Sequence, residues 1–360
     1  MSKNSYCVIM AGGIGSRFWP ESSPEMPKQF LDILGVGKTL IQQTYERFVK
    51  IIPNKNILIV TSEKYFDIVK QQIPDILDEN ILTEPMRRNT APCILYAALK
   101  IKHKNSVANV VVTPADHLIL NETEFLKDIE EGICFSEKKN GLITLGITPN
   151  RPATTYGYIK RGENLNDCNF YKILNFTEKP NSDLAKQFIQ DGNYLWNAGI
   201  FVWNNDLIIN EIKKNLPEIY QKFENDIDFS NQENEKKSIE KIYDKINGIS
   251  IDFGVMEKSN NVFVKKTDFG WSDLGTWDSI YQLKEKDQNE NVILAQKIIL
   301  ENSNGNFIKS NNNNKILAIR DLEDFIVIDT NDVVLICKRE NEQKIQDLLT
   351  EAKNKFSNGF

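Results

Sequence analysis

At 360 residues the chain exceeds the usual size of one domain, about 100–200 residues, so one large domain or two domains with a sizeable core are expected. A 41% hydrophobic share is ordinary for a globular protein, and a net charge of −6 argues against a broad nucleic-acid or anionic-membrane surface. Only two histidines, His103 and His117, are present, which excludes a His-rich zinc site and leaves few bases for a Ser-His-Asp triad.

The five cysteines, Cys7, Cys93, Cys134, Cys168 and Cys337, are odd in number and form no CxxC, so reduced thiols in a cytoplasmic protein are expected. Neither a basic-then-apolar leader nor an apolar run of about 18 residues occurs, so secretion by such a signal and membrane spanning are not expected.

The first half alternates two periods. Tyr6–Met10 reads as a strand, Leu40–Ile51 as a helix, NILIVT (56–61) as a strand and Glu63–Ile73 as a helix. Ile81–Thr83 is a short strand, Ala91–Lys104 a helix, and NVVVT (109–113) a strand that ends in Pro114-Ala115-Asp116-His117. Glu122–Lys139 is helical and Leu142–Leu145 is a strand. This βαβ alternation predicts an α/β fold with a Rossmann-like mixed, mainly parallel sheet covered on both faces. Strand-rich segments follow from Tyr156 to Trp203, then helices to about Lys245, a strand at Val262–Lys266 and a helix begun within Trp271–Tyr281. After about Lys286 short β pieces are separated by Asn- and Gly-containing turns, a spacing compatible with a few coils of a β-helix, and Glu340–Phe356 closes as a charged helix.

Candidate chemistry gathers at strand ends, where open α/β sheets bind ligands. MAGGIGSRFWPESSPEMPKQ (10–29) places Gly12, Gly13 and Gly15 after the first strand, followed by Arg17 and Lys28. Glycines let backbone N–H groups approach anionic oxygens, Arg17 offers a planar fork of donors, and Lys28 is a point charge. The loop fits neither GxGxxG, because Phe18 replaces the third glycine, nor the P-loop. On the glycines alone a bare strand-to-helix turn is an alternative; the two cations argue against it.

Asp116 is a carboxylate suited to Mg²⁺, or an ordinary turn aspartate. Asp273 sits in FGWSDLGTW (269–277), where either Ser272 or Asp273 could instead cap the helix containing Trp277. Arg87-Arg88-Asn89-Thr90-Ala91-Pro92 joins two cations to a helix start that suits a nucleotide, or is simply a capped helix. Glu178-Lys179-Pro180 pairs a group for sugar hydroxyls with one for a sugar phosphate, or is a surface pair before a turn. Asn197, in WNAG, binds a ligand or closes a turn, and Trp196, Phe201 and Trp203 read as core.

Together, AGGIGSRFWPESSPEMPKQF, EPMRRNTAPC, TPADH, TTYGYIKRG, FTEKP, WNAGIFVW, SIDFGVMEKS and FGWSDLGTWDS resemble, in order, the sugar-1-phosphate nucleotidyltransferases, and most closely their mannose-1-phosphate guanylyltransferase branch. The resemblance implies a nucleotidyltransferase (GT-A-like) domain over 1–286 and a short left-handed β-helix with a terminal helix over 287–360, often a dimer contact. It implies Mg²⁺-dependent transfer of GMP from GTP to α-D-mannose 1-phosphate, with GDP-mannose and pyrophosphate as products.

By the same resemblance the nucleotide meets Ala11, Gly12, Gly13, Gly15, Arg17, Lys28, Arg88, Asn89, Thr90 and Asp116. The catalytic set is Arg17, Lys28, Asp116 and Asp273, with Asp116 and Asp273 on the metal. Gly157, Glu178 and Asn197 meet the hexose, and Lys179 meets its phosphate. Thr155 stands where the family usually has glycine. Bifunctional relatives carry an added isomerase domain for which this chain ends too early, so isomerase activity is not expected. The alternatives are a nucleotidyltransferase for another sugar or base, a non-catalytic regulatory nucleotide-sugar-binding subunit, and a glycosyltransferase. The last would want a DxD-type motif, whereas Asp116 stands in PADHL.

Overall fold

The computed structural model describes residues 4–13, 15–165 and 169–356. Cys168, expected as a reduced thiol, lies outside the described residues, as do Ile14 of the glycine loop and the chain ends 1–3 and 357–360. The chain forms two compact units. The first comprises Met1–Gly12, Gln42–Ala115 and Ile119–Trp271; the second comprises Gly13–Ile41, Asp116–Leu118 and Ser272–Phe360. The residues from 287 onward thus fall in one unit, but that unit also takes in the glycine loop from Gly13 on, Asp116 and Asp273.

The first unit is built on a nine-stranded sheet. Its spatial order is Ile81–Glu84, Ile57–Ser62, Ser5–Ala11, Asn109–Pro114, Tyr194–Asn204, Leu142–Ile147, Val262–Thr267, Phe170–Thr177 and Tyr158–Asn164. The first four strands pair parallel; Ile57–Ser62, Ser5–Ala11 and Asn109–Pro114 are buried along nearly their whole length, and the edge strand Ile81–Glu84 over its first half. Tyr194–Asn204 then enters antiparallel between Asn109–Pro114 and Leu142–Ile147, so the sheet is mixed.

Helices pack beside this sheet with conventional ends. Thr90–Lys104 is capped by Asn89 and closes on Lys102, His103 and Lys104, matching the helix dipole. Glu122–Lys139 is capped by Asn121 and leaves through Asn140 in the left-handed region. Trp203, Phe201, Phe223 and Tyr243 are among the fully buried side chains of the core. No helix among the described residues is long and apolar enough to cross a membrane.

The second unit carries the β coils. Val292–Leu294, Phe307–Ser310 and Phe325–Asp329 stack in parallel on one face, and Ile298–Glu301 pairs parallel with Leu317–Arg320 on another. Val334–Lys338 ends the stack antiparallel. The corners are held by stacked amides: Asn291 Oδ1 accepts from Asn306 N and Nδ2, each at 3.0 Å, and Asn306 Oδ1 accepts from Phe325 N at 2.9 Å. Both asparagines are buried, so these bonds satisfy backbone groups that water cannot reach. Phe18 and Trp277 join Phe307, Ile326 and Ile328 in one apolar cluster, so the glycine-loop segment and the coils share a core.

Candidate active site

In the second unit the glycine loop is shaped by its own turn. Gly15 lies at φ +63° and leads into a 3₁₀ turn, Ser16–Phe18. A Cβ on Gly15 would overlap the Cβ of Lys28, so glycine alone fits there on two counts, conformation and space. Ser22 Oγ donates to the Gly15 carbonyl at 2.7 Å, and Gln29 Nε2 donates to the Gly13 carbonyl at 3.0 Å. Phe18 anchors the turn, edge-on to Trp277 with ring centroids 4.9 Å apart. Arg17 is left exposed and forms no ion pair with another described residue, which frees its guanidinium for an anionic ligand.

Lys28 is only 4% exposed. Its Nζ donates to the Asp273 carbonyl at 2.6 Å, meets Asp116 Oδ2 at 3.0 Å and lies over the Phe18 ring. One ammonium therefore draws together the strand-end aspartate, the GWSDLGTW loop and the glycine turn. Burial raises the Asp116 carboxyl, but the nearby Lys28 charge, then His117 and the Lys28 hydrogen bond, outweigh it, so the net shift is downward. The carboxylate is held ionised.

The Asp273 carboxylate abuts Gly275, where a Cβ would sit 3.0 Å from Oδ2. Neither Ser272 nor Asp273 caps the following helix. The cap is Thr276, in a reciprocal box with Ser279, at the start of Trp277–Leu283. Helix capping thus does not account for Asp273.

In the first unit five of the candidate nucleotide residues, Ala11, Gly12, Arg88, Asn89 and Thr90, form a strip around the start of Thr90–Lys104. Ala11 ends its strand with its carbonyl accepting from Thr61 Oγ1 at 2.9 Å, and Gly12 follows. Asn89, at φ +65°, accepts from Thr90 N at 2.9 Å; Thr90 Oγ1 accepts from Ile251 N at 2.8 Å. Arg88 Nε is committed to the Tyr243 carbonyl at 2.9 Å. These side chains therefore build the strip before they meet any ligand.

Glu84, which sequence reasoning passed over although it opens EPMRRNTAPC, stands beside Gly12 and accepts from Tyr243 at 2.8 Å. Burial pushes its carboxyl up to about 7 against the opposing hydrogen bond from Tyr243 and the charge of Arg87.

The hexose candidates also meet in the first unit. Gly157 leaves room for Glu178, since a Cβ there would collide with Glu178 Oε2. The Gly157 carbonyl accepts from Asn197 N at 2.8 Å. Asn197 faces a register irregularity between Thr144 and Gly146, the kind of local kink that re-aims a side chain. Its Oδ1 accepts from Thr144 Oγ1 at 2.7 Å and Gly199 N at 3.2 Å, and its Nδ2 donates to Asp252 Oδ1 at 2.9 Å. Glu178 is ion-paired with its neighbour Lys179, which is exposed and at φ +48°. Thr155 is not among the residues with positive φ, so its replacement of glycine imposes no left-handed strain. Trp196, Phe201 and Trp203 are buried, as expected of core.

Asp252 is the second residue that sequence reasoning missed. Burial and then the neighbouring Glu178 charge push its carboxyl up to about 6, against the Asn197 hydrogen bond and Lys179. Its signal was SIDFGVMEKS, a stretch with no periodicity that singles out one acid.

A glycine turn on a buried lysine that also binds an aspartate is an arrangement suited to a phosphate-handling enzyme. The nucleotidyl transferase family matches residues 6–290, and a mannose-phosphate isomerase/GMP-like β-helix domain matches 296–351. Mannose-1-phosphate guanylyltransferases of Escherichia coli and Salmonella montevideo are each 33% identical, over 97% and 96% of this chain and 76% and 73% of their own lengths. A crystal structure from Thermus thermophilus, described as a "mannose-1-phosphate geranyltransferase", aligns with TM-score 0.86 at 27% identity over 97% of this chain and 99% of its own. The chain belongs to the mannose-1-phosphate guanylyltransferase family of nucleotidyl transferases.

Proposed function

We infer that the protein catalyses Mg²⁺-dependent transfer of GMP from GTP to α-D-mannose 1-phosphate, giving GDP-mannose and pyrophosphate. The observation that carries this reading is the Lys28 ammonium held between the Asp116 carboxylate and the Asp273 carbonyl, directly against the glycine turn. The nucleophile is a phosphate oxygen that is already anionic, so the reaction needs alignment and charge neutralisation more than a general base. The scarcity of histidine is consistent with that demand.

The roles follow from charge and reach. Ala11, Gly12, Gly13, Gly15 and Arg17 hold the triphosphate, and Lys28 stabilises the phosphate being transferred. Arg88, Asn89 and Thr90 shape the nucleoside seat. Gly157, Glu178 and Asn197 meet the hexose, and Lys179 its phosphate.

No group of three or more His, Cys, Asp or Glu that could hold a metal occurs among the described residues. Two carboxylates, Asp116 and Asp273, still suit Mg²⁺, which takes oxygen ligands and usually completes its shell with phosphates and water. When bound, the ion would neutralise charge on the phosphate oxygens.

The reading extends to a cytoplasmic homodimer. An odd number of cysteines with no CxxC supports the compartment, and the exposed Val334 and Ile336 on the terminal coil strand support the dimer. A monomeric mass in solution would rule the dimer out.

The test is a panel of nucleoside triphosphates against hexose 1-phosphates with pyrophosphate release as readout. GTP with mannose 1-phosphate is expected to be fastest. Faster turnover with another pair reassigns the substrate, and binding without turnover makes the chain a regulatory subunit.

A further inference from the structure

The Asn197 amide is defined at both ends. Its oxygen has two lone pairs, and both are occupied, by the Thr144 hydroxyl at 2.7 Å and the Gly199 amide at 3.2 Å. Its nitrogen has two hydrogens, and Asp252 Oδ1 at 2.9 Å takes one. Inverting the amide would set an oxygen against a carboxylate and an NH₂ against the Gly199 N–H. The arrangement leaves one N–H for a ligand and no free acceptor.

Asp252 is itself well anchored. It opens the π-helical turn Asp252–Met256, and the residue before it, Ile251, donates its N–H to Thr90 Oγ1. Two residues further back, Ile249 N donates to the Arg88 carbonyl at 3.2 Å, and the Ile249 carbonyl accepts from Ala91 N at 3.0 Å. The short segment 248–252 therefore runs from the nucleoside strip to the hexose amide inside the first unit. The charged groups acting on Asp252 are Glu178 and Lys179; Glu178 acts in turn on Glu257.

We propose that Asp252 is a positioning residue for hexose recognition: its hydrogen bond to Asn197 Nδ2 locks the Asn197 amide so that its remaining N–H is offered to a hexose hydroxyl oxygen. The proposal rests on Asn197 meeting the hexose and goes beyond that reading by naming what aims it. An oxygen acceptor is thereby selected at that point of the sugar, while the neighbouring Glu178 carboxylate selects a hydroxyl hydrogen.

The experiment measures kcat and KM for both substrates in Asp252→Ala, Asp252→Asn, Asn197→Ala and the Asp252→Ala/Asn197→Ala double variant. Asp252→Ala is expected to raise the KM for mannose 1-phosphate about tenfold, the worth of one well-placed hydrogen bond. The KM for GTP and kcat should stay within about twofold on the same scale. Asp252→Asn keeps an acceptor toward Asn197 and should recover most of the affinity. In the Asn197→Ala background the Asp252→Ala change should add almost nothing, because its effect passes through that amide.

An unchanged mannose 1-phosphate KM in Asp252→Ala, an equal rise for GTP, a failure of Asp252→Asn to recover affinity, or additive effects in the double variant would each overturn the proposal. If Asn197→Ala itself leaves that KM unchanged, the hexose reading of Asn197 fails instead. If the alanine variant does not fold, Asp252→Val, uncharged and without a hydrogen-bond acceptor, makes the same comparison.

Discussion

The polar cluster of the second unit and that of the first solve opposite electrostatic problems. Around Lys28 the charges are complementary: an ammonium sits on a carboxylate and a carbonyl, and Asp116 is driven below the ordinary carboxylate range. Around Asn197 two carboxylates are gathered: Asp252 and Glu178 face the same neighbourhood, and burial first, then the Glu178 charge, push Asp252 up to about 6. The first arrangement suits a site that must hold and offset phosphate charge as it redistributes. The second suits a site that reads neutral hydroxyls, where carboxylates act as hydrogen-bond acceptors and their mutual repulsion is tolerated. On the roles proposed above, chemistry and recognition would be separated by the sign of the local electrostatics.

The comparison breaks most sharply at Asp273. If the complementary cluster does the chemistry, Asp273→Ala should lower kcat by about 10³-fold, the scale of removing one preorganised electrostatic group, with the circular-dichroism spectrum unchanged. Near-normal turnover at limiting Mg²⁺ would remove Asp273 from a metal role. Gly15→Ala comes next. The added methyl overlaps Lys28 and imposes φ +63° on alanine, so it should displace the ammonium and cost about 10²-fold in kcat, as misplacements of roughly 1 Å do. An active Gly15→Ala enzyme would show that the position of Lys28 is not critical.

Much of this was legible in local pattern. NVVVT and NILIVT are too uniformly apolar for anything but buried strands, and a cation or carboxylate placed just past such strands stands out. Long-range pairing was not legible. Nothing in YLWNAGIFVWN announces that the strand enters antiparallel between two distant ones. Nor does the spacing reveal that Phe18 and Trp277 bring the glycine loop into one core with the β coils, because that contact joins residues far apart in the chain. Thr276 displaced Ser272 and Asp273 as the helix cap because the reciprocal bond needs its partner three residues on, at Ser279. Glu84 and Asp252 escaped notice for a shared reason. Their distinction is burial, and each lies in a stretch where local periodicity does not report it.

A smaller effect sharpens the recognition side. Lys179 is exposed and paired with Glu178, so its contribution should be one screened contact to a sugar phosphate. Lys179→Ala is expected to raise the KM for mannose 1-phosphate about three- to fivefold, with kcat and the GTP KM nearly unchanged. An equal loss in kcat would place Lys179 with the chemical cluster and blur the division.

The smallest expected effect is on stability, and it has the opposite sign. Because Asp252 has a folded pKa of about 6 against an ordinary 3.8, its ionisation opposes folding. The unfolded chain releases this proton first, so stability falls as pH rises from about the ordinary value through the folded one, and stays lower above it. Asp252→Asn removes the charge but keeps the shape. Its melting temperature should therefore exceed that of the unmodified protein at pH 7.5, and the gap should close near pH 4, where both side chains are neutral. Thermal unfolding at the two pH values tests this directly. A gap of the same size at both would mean that ionising Asp252, buried beside Glu178, carries no cost to the fold. A gap that closes as expected would mark Asp252 as a carboxylate kept at some expense to the fold, as a site selected for recognition would be.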